Sequence, residues 1–205
     1  MNLDIIGWFE VGAAVAAVMG GIFYSIHRRH KNHKKRKLDN FWKIHTIIHE
    51  SLTELRVRTN CARAQIVQFH NGEYFMDGVS MRKFSLTHES VNKGVSSEAD
   101  KLQNLLISRF IPLINVLMED KSTILFTDEV QDETWKSFLM SGNVVAMTVL
   151  PLHHKGDITG YVMCQWCNLE KLIESDSDKI SYECVYARNL LQINLAQQLR
   201  GKEGL

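Results

Sequence analysis

The feature that most constrains this chain is an apolar run from Ile5 to Ile26, which a basic segment follows at once. The run has 22 residues, and a helix of that length rises about 33 Å, enough to cross a hydrocarbon core of about 30 Å. Glu10 is its one charged residue. It lies near the N-terminal end, where a carboxylate can reach the membrane interface or turn towards a partner helix. The sequence therefore predicts one N-terminal transmembrane helix.

The charges on either side of the run predict its orientation. Seven Lys and Arg lie within residues 27–37, whereas the N-terminal side has only Asp4, Glu10 and the α-amine. The positive-inside rule then keeps the C-terminal domain in the cytoplasm, so we expect a single-pass protein of the host inner (cytoplasmic) membrane. A cleaved signal peptide would carry its positive charges before the apolar region. A buried helix of a soluble domain would need neither this length nor the basic segment.

The basic segment also predicts contact with anionic lipid headgroups, because each Lys or Arg near an anionic leaflet contributes about 1 kcal/mol. Nucleic acid is the alternative partner of such a run. However, residues 38–205 hold 17 Lys and Arg against 21 Asp and Glu, so we do not expect a nucleic-acid-binding domain. The residues expected at the membrane surface are Arg28, Arg29, Lys31, Lys34, Lys35, Arg36 and Lys37.

Small residues recur every four positions inside the apolar run, at Ala13, Ala17 and Gly21. Such a face lets two helices approach closely, and Glu10 lies three residues before it. These four residues predict association of the helix into a homodimer or higher homo-oligomer. The alternative is that small residues are simply common in membrane helices.

The remaining sequence is the size of one domain, so the 205 residues divide into 1–26 (N-terminal tail and transmembrane helix), 27–37 (basic segment) and 38–205 (soluble domain). The four cysteines are too few and too irregularly spaced for a disulfide scaffold, and free thiols suit the cytoplasm.

Hydrophobic periodicity in the soluble domain predicts an α+β fold. Helices are predicted at 38–60, 97–117 (kinked or split at Pro112), 132–140 (with Gly142 as a left-handed cap) and 177–199. Strands are predicted at 62–69, 83–88, 122–126, 144–152 and 158–166, with a tight turn at Asn71-Gly72 and a hairpin joining the last two strands. We expect a central antiparallel sheet of about five strands flanked by helices.

This order of elements resembles the GAF domain family over about residues 40–200. The segment ARAQIVQFHNG (62–72), with FSLT (84–87) in the next strand, looks like GAF-type domains of bacteriophage proteins. The resemblance implies a GAF-like domain that binds a small-molecule ligand or a protein partner in a pocket beside the first strand. The residues implied at the pocket are Phe69, His70, Asn71, Phe84 and His88.

The resemblance does not name the ligand. Asn92-Lys93 and Phe126-Thr127-Asp128-Glu129 are similar to a signature of cyclic-nucleotide-binding members, but one residue separates Phe126 from Asp128 where the signature has three. No cysteine lies where a bilin would be attached. We therefore expect no cofactor.

A second resemblance is to the holins of T-even phages, which have one membrane helix followed by a soluble domain. Residues 160–166 (GYVMCQW), leading into the helix at 177–199, are similar to that family. This resemblance implies an alternative function, a lysis protein whose membrane helices assemble into a lesion. That family places its domain in the periplasm, whereas the basic segment here predicts the cytoplasm.

Catalytic and metal-binding patterns are weak. Cys164-x-x-Cys167 could form half of a zinc site or a redox pair, but no second pair of ligands lies at a suitable spacing, and residues three apart on a strand point to opposite faces. No converging nucleophile, base and orienting group can be recognised. The sequence therefore predicts a non-catalytic, membrane-anchored module without a metal, and the resemblance to the GAF family implies that it is a phage-encoded sensor or assembly module.

Overall fold

The computed structural model describes the backbone of residues 3–74 and 80–200, and the side chains of 19, 21–32, 38–72, 74 and 81–196. Internal contacts divide the chain into two units, Met1–Lys43 and Ile44–Leu205. The first helix, α1, is Leu3–Arg58.

Within the first unit, the described side chains of α1 include an exposed apolar group. Its members are Met19, Ile22, Phe23, Tyr24 and Ile26, each at least half exposed. Arg28, Arg29 and Lys31 are exposed as well. A Cβ placed on Gly21 would meet nothing within 4 Å. The predictions for the side chains of Glu10, Ala13, Ala17, Lys34, Lys35, Arg36 and Lys37 lie outside the described residues.

Among the described residues, no helix is both long enough and apolar enough to cross a bilayer.

The second unit is built on one antiparallel sheet of six strands in the order β3-β2-β1-β6-β5-β4. The strands are β1 Arg63–Tyr74, β2 Ser80–Val91, β3 Leu105–Leu106, β4 Leu125–Phe126, β5 Ala146–His154 and β6 Asp157–Trp166. The sequence predicted about five strands. The added strand, β3, has two residues and pairs with Lys83 and Phe84 of β2.

The remaining α-helices are α2 Ile111–Met118, α3 Glu133–Ser141, α4 Leu169–Ile173 and α5 Ser177–Arg200, and single 3₁₀ turns lie at Ile107–Arg109 and Thr127–Glu129. α3 begins as predicted, because the Asp132 carboxylate accepts a hydrogen bond from the Trp135 N–H at 2.7 Å. At its end, Asn143 and not Gly142 adopts the left-handed conformation, with φ of 55° against −93°.

The helix predicted from Ser97 to Leu117 is wrong over its first half, where residues 99–104 form turns and bends. There the Leu102 carbonyl accepts the Leu86 N–H at 2.7 Å, and Asn104 has a φ of 56°. Tertiary pairing with β2 thus replaces the helical hydrogen bonds. α2 starts only at Ile111 and holds Pro112 in its first turn, where the missing N–H costs little.

Two tight approaches between strands depend on glycine. The predicted β5–β6 hairpin forms, and it turns through Lys155 and Gly156, with φ of 53° and 91°, the left-handed conformation of a two-residue turn. In β6, a Cβ on Gly160 would lie 2.2 Å from the Val67 carbonyl oxygen, so a side chain there would push β6 away from β1. By contrast, the tight turn predicted at Asn71-Gly72 is wrong, because β1 continues to Tyr74.

Each face of the sheet carries its own core, since successive strand residues point to opposite faces. The first face packs on α1 and α5 through Ile48, Leu52, Ile66 and Leu191. The second face packs on α2 and α3, and we call it the α2/α3 face. Its buried apolar residues are Val67, Phe84, Leu86, Leu102, Phe110, Leu113, Leu117, Trp135, Leu139, Val144, Met147, Val149, Tyr161 and Met163.

Candidate functional site

The centre of the α2/α3 face is filled by aromatic side chains. Phe84 packs edge-on against Phe110, with ring centroids 5.2 Å apart, and against Tyr161 at 6.2 Å. Phe84 and Tyr161 are each 1% exposed. Burial, together with the nearby Glu98 charge, raises the pKa of the Tyr161 hydroxyl above its ordinary value. The side chains of the domain therefore occupy the centre of this face.

The five residues predicted to contact a ligand do not converge. Phe69 and Phe84 are cross-strand partners, and both lie on the α2/α3 face, where Phe69 also packs on Tyr161. His70 points the other way and shares a hydrogen bond with Ser85 Oγ at 2.9 Å, while Asn71 is exposed. As ligand contacts, these residues stay a prediction.

His88 lies on the opposite face from Phe84, against α1. Its Nε2 lies 2.6 Å from His45 Nδ1, and the two rings stack with centroids 4.9 Å apart. Burial, together with the nearby charges of His45 and His49, lowers the pKa of His88 to about 4. Burial also lowers the pKa of His45, so the neutral form of each ring is favoured and one ring donates its N–H to the other.

The His45–His88 pair predicts a loss of stability in acid. The unfolded chain holds His88 at its usual pKa of 6.5 and the folded chain at about 4, so between these values the unfolded state binds more protons. The contribution of neutral His88 to the free energy of unfolding is complete above about pH 6.5 and is lost as the pH falls towards 4. We expect the free energy of unfolding to fall by about 2 kcal/mol over this range, after a discount for solvent screening. Urea unfolding of the full chain across this range measures it, and His88→Gln should flatten the slope. An NMR titration midpoint for His88 at or above its usual pKa would contradict the prediction.

At one end of the α2/α3 face lies a buried polar cluster centred on Arg63, which is 3% exposed. Its guanidinium donates to the Ser96 carbonyl at 2.8 Å, to the Gly142 carbonyl at 3.1 Å, and to Gln165 Oε1 at 3.0 Å. Arg63 thus ties β1 to β6, to the loop before β3 and to the C-terminal end of α3. We call this set of contacts the Arg63 clamp.

Two carboxylates complete the cluster. Glu98 is 1% exposed and lies 3.7 Å from the Arg63 guanidinium. Gln65 Nε2 donates to Glu89 at 2.8 Å and to Glu98 at 3.2 Å, whereas Gln65 Oε1 is buried without a hydrogen-bond partner in the described structure. Glu98 is thus paired with Arg63, Glu89 accepts hydrogen bonds from the side chains of Gln65 and Ser97, and Gln65 Oε1 remains as an acceptor for a donor such as an ordered water.

Beside the clamp, an open groove of about 360 Å³ runs between α3, β4 and the start of α4. We call it the α3/β4 groove. Its volume falls within the usual range of ligand sites. Its walls are mainly apolar and its rim is polar. The lining residues are Phe126, Thr127, Asp128, Lys136, Met140, Val144, Val145 and Leu169.

The clamp and the groove share the C-terminal end of α3. Met140 and Val144 line the groove, and between them Gly142 accepts two hydrogen bonds from Arg63. A Cβ on Gly142 would lie 2.1 Å from a Glu98 carboxylate oxygen. The cluster therefore fixes the position of one groove wall.

The Cys164-x-x-Cys167 pair separates in space. Cys164 lies 3.9 Å from Cys184 in the core beneath α5, whereas Cys167 lies near Arg63. Burial raises the pKa of the Cys167 thiol. In the described part of the chain, no group of three or more His, Cys, Asp and Glu side chains is placed to hold a metal ion.

The sequence reasoning missed the Arg63 clamp and the α3/β4 groove. Arg63 and Gln65 alternate with alanines in a predicted strand, a pattern that usually indicates a solvent-facing side. Gln165, a polar residue inside the apolar run of β6, could have indicated that a buried polar cluster lies on this face of the sheet. The groove had no such signal, because its lining comes from three separate segments.

The domain is similar to solved GAF-domain structures. The third GAF domain of Slr1393 from Synechocystis sp. PCC6803 superposes with a TM-score of 0.57 at 14% identity, covering 78% of this chain and 98% of that one. The PixJ GAF domain of Thermosynechococcus elongatus gives 0.54 at 14% identity, covering 80% and 95%. A domain of a putative two-component sensor histidine kinase from Sinorhizobium meliloti gives 0.53 at 14% identity, covering 78% and 94%. No family model matches the sequence, and no curated protein sequence matches it.

Proposed function

From this GAF-like fold, we propose that the chain is a non-catalytic binding module, acting as a sensor or an assembly element, and that it binds its ligand or partner in the α3/β4 groove. The neighbouring structures support binding as the general role. One of them is a phycoerythrobilin-bound GAF domain from a cyanobacterial phytochrome.

The contrast between the filled centre of the α2/α3 face and the open groove beside it carries the proposal. Phe84, Phe110 and Tyr161 fill the centre, whereas the groove at its edge is open, with Met140 and Leu169 exposed by 62% and 46%. An apolar concavity with a few polar groups at its rim is the usual form of a ligand site. The groove is therefore a better candidate for the ligand site than the centre of the α2/α3 face.

The Arg63 clamp suits this role because a binding site needs a wall of fixed position. The carbonyl of Gly142 is held by the guanidinium from the core side, while Met140 and Val144 face the groove. A ligand in the groove would thus press against a wall that is braced by the sheet. If ligand binding displaced this wall, the hydrogen bonds of Arg63 would transmit the displacement to β1 and β6. Such a coupling would let a sensor respond to its ligand.

Native mass spectrometry of the full chain, purified in a mild detergent and incubated with the soluble extract of its expression host, tests the proposal. We expect a bound molecule that Met140→Gln releases. Met118→Gln is the matched control, because Met118 is also exposed, at 69%, but lies on α2 outside the groove. A chain that binds nothing, or that keeps the same molecule in Met140→Gln, contradicts the assignment of the groove.

The proposal extends to attachment at the host inner membrane, with the domain in the cytoplasm and the apolar run associating into a homo-oligomer. Support comes from the basic segment and from the exposed apolar side chains of Met19, Ile22, Phe23, Tyr24 and Ile26. Groups of exposed apolar side chains mark surfaces that contact lipid or another protein. We further propose that the protein is phage-encoded, because the segment 62–72 resembles GAF-type domains of bacteriophage proteins.

Reporter fusions after Leu205 test the orientation. A cytoplasmic reporter should be active and a periplasmic one inactive. The reverse result, together with permeabilised cells, would instead favour the holin-like lysis function.

A further inference from the structure

A β-bulge in β2 turns His88 towards α1. Ile66 of β1 pairs with His88, whereas the residue after Ile66 pairs with Leu86. Thr87 is therefore an extra residue in β2. An extra residue reverses the faces of the residues that follow it in the strand. Leu86 thus packs on the α2/α3 face, while His88 lies against His45 of α1.

A chain of hydrogen bonds fixes the nitrogen of His88 that faces α1. The Thr87 hydroxyl donates to the Ile66 carbonyl at 3.3 Å, so its oxygen accepts the Nδ1–H of His88 at 3.0 Å. The Nε2 of His88 therefore presents its lone pair to His45 Nδ1, which lies 2.6 Å away. A ring that donates one N–H to a fixed acceptor and presents its other nitrogen is the usual form of a metal-binding histidine.

α1 places a third imidazole beside this pair. His49 follows His45 by four residues, a spacing that puts both side chains on one face of a helix. Two histidines at this spacing on a helix bind zinc in other proteins. The His49 side chain is exposed and its charge acts on the pKa of His88, while His45 and His88 are half-buried. An ion can therefore reach the three rings from solvent.

We propose that His45, His49 and His88 bind a divalent transition-metal ion such as Zn²⁺ between α1 and β2. Imidazole nitrogen is a preferred ligand of these ions. The site lies on the opposite side of the sheet from the α2/α3 face, so the inference goes beyond the proposed function and does not depend on the groove.

Binding requires a small adjustment of the rings, because no described group of His, Cys, Asp and Glu is already converged as a set of three ligands. Tetrahedral zinc with Zn–N bonds of about 2.0 Å holds two nitrogens about 3.3 Å apart. His45 and His88 must therefore separate by about 0.7 Å, the His45 proton must move from Nδ1 to Nε2, and the exposed His49 ring must turn towards the ion. An ion held in this way would fasten α1 to β2 and stabilise the folded state.

Zinc titration of the full chain, purified in mild detergent without a histidine tag, tests the inference. We expect one equivalent of Zn²⁺ to move the ring NMR signals of His45, His49 and His88 and to raise the urea midpoint of unfolding. Thr87→Val, which removes the acceptor of the His88 Nδ1–H, should weaken zinc binding by about 10–100-fold. His88→Gln should weaken it at least as much, because it removes a ligand.

His153→Gln combined with His154→Gln is the matched control, because these two histidines lie at the end of β5, away from α1. The control should leave zinc binding unchanged. The inference is overturned if zinc does not bind, if it binds equally well to His88→Gln, or if it moves only the histidine signals of the basic segment 27–37. The Met140→Gln test of the groove probes another surface, so either proposal can fail while the other stands.

Discussion

Replacing Phe84 by alanine is expected to lower the free energy of unfolding by about 3–5 kcal/mol. The side chain is 1% exposed and packs on Phe110 and Tyr161, so its removal leaves a cavity that the rigid sheet cannot close. Urea unfolding of the full chain in mild detergent measures the loss, with buried Trp135 and Trp166 as fluorescent reporters.

Phe69→Ala is the matched control for this cavity. Phe69 is the cross-strand partner of Phe84 but is only half-buried, so we expect a loss of about 1–2 kcal/mol. A cost at Phe84 no larger than the cost at Phe69 would mean that Phe84 lines an open ligand pocket, as the resemblance implied, and would contradict the packed core.

Replacing Arg63 by methionine is expected to cost about 3–5 kcal/mol, because the buried Glu98 carboxylate then loses its cation and the Gly142 carbonyl loses its donor. The same urea experiment measures it. Adding Glu98→Gln to Arg63→Met should recover part of the loss, since the unpaired charge is removed.

Arg188→Met is the control for the Arg63 variant. Arg188 pairs with Asp120 near the surface, where Asp120 is 47% exposed, and surface pairs contribute about 1 kcal/mol or less. Equal losses of unfolding free energy in the Arg63 and Arg188 variants would contradict the stabilising role of the Arg63 clamp.

Local patterns predicted the elements that depend on neighbouring residues. The β5–β6 hairpin follows from two apolar runs around Lys155-Gly156, and α5 follows from the apolar spacing after Ser177. The same spacing failed at Ser97, because the Leu102 carbonyl bonds to β2 and Glu98 is drawn into the buried cluster. Hydrophobic periodicity gives no information about a hydrogen-bond partner that lies on a distant strand.

The site was harder to predict because its contacts are distant in sequence. Gln65 meets Glu98 across 33 positions, and Arg63 meets Gly142 across 79. Phe84 and His88 belong to one strand and were assigned to one pocket, yet a register shift after Ile66 intervenes and the two residues face opposite cores. Only the folded sheet shows which of these residues share a face.

Methyl NMR of the full chain labelled at methionine, titrated with the soluble extract of the expression host, tests the central claim most directly. Met140 reports on the groove, Met118 on an unrelated surface, and Met147 and Met163 on the packed α2/α3 face. We expect the Met140 signal to move while the other three signals stay in place. Movement of the Met147 or Met163 signal with Met140 unchanged would place the ligand in the core and contradict binding in the groove.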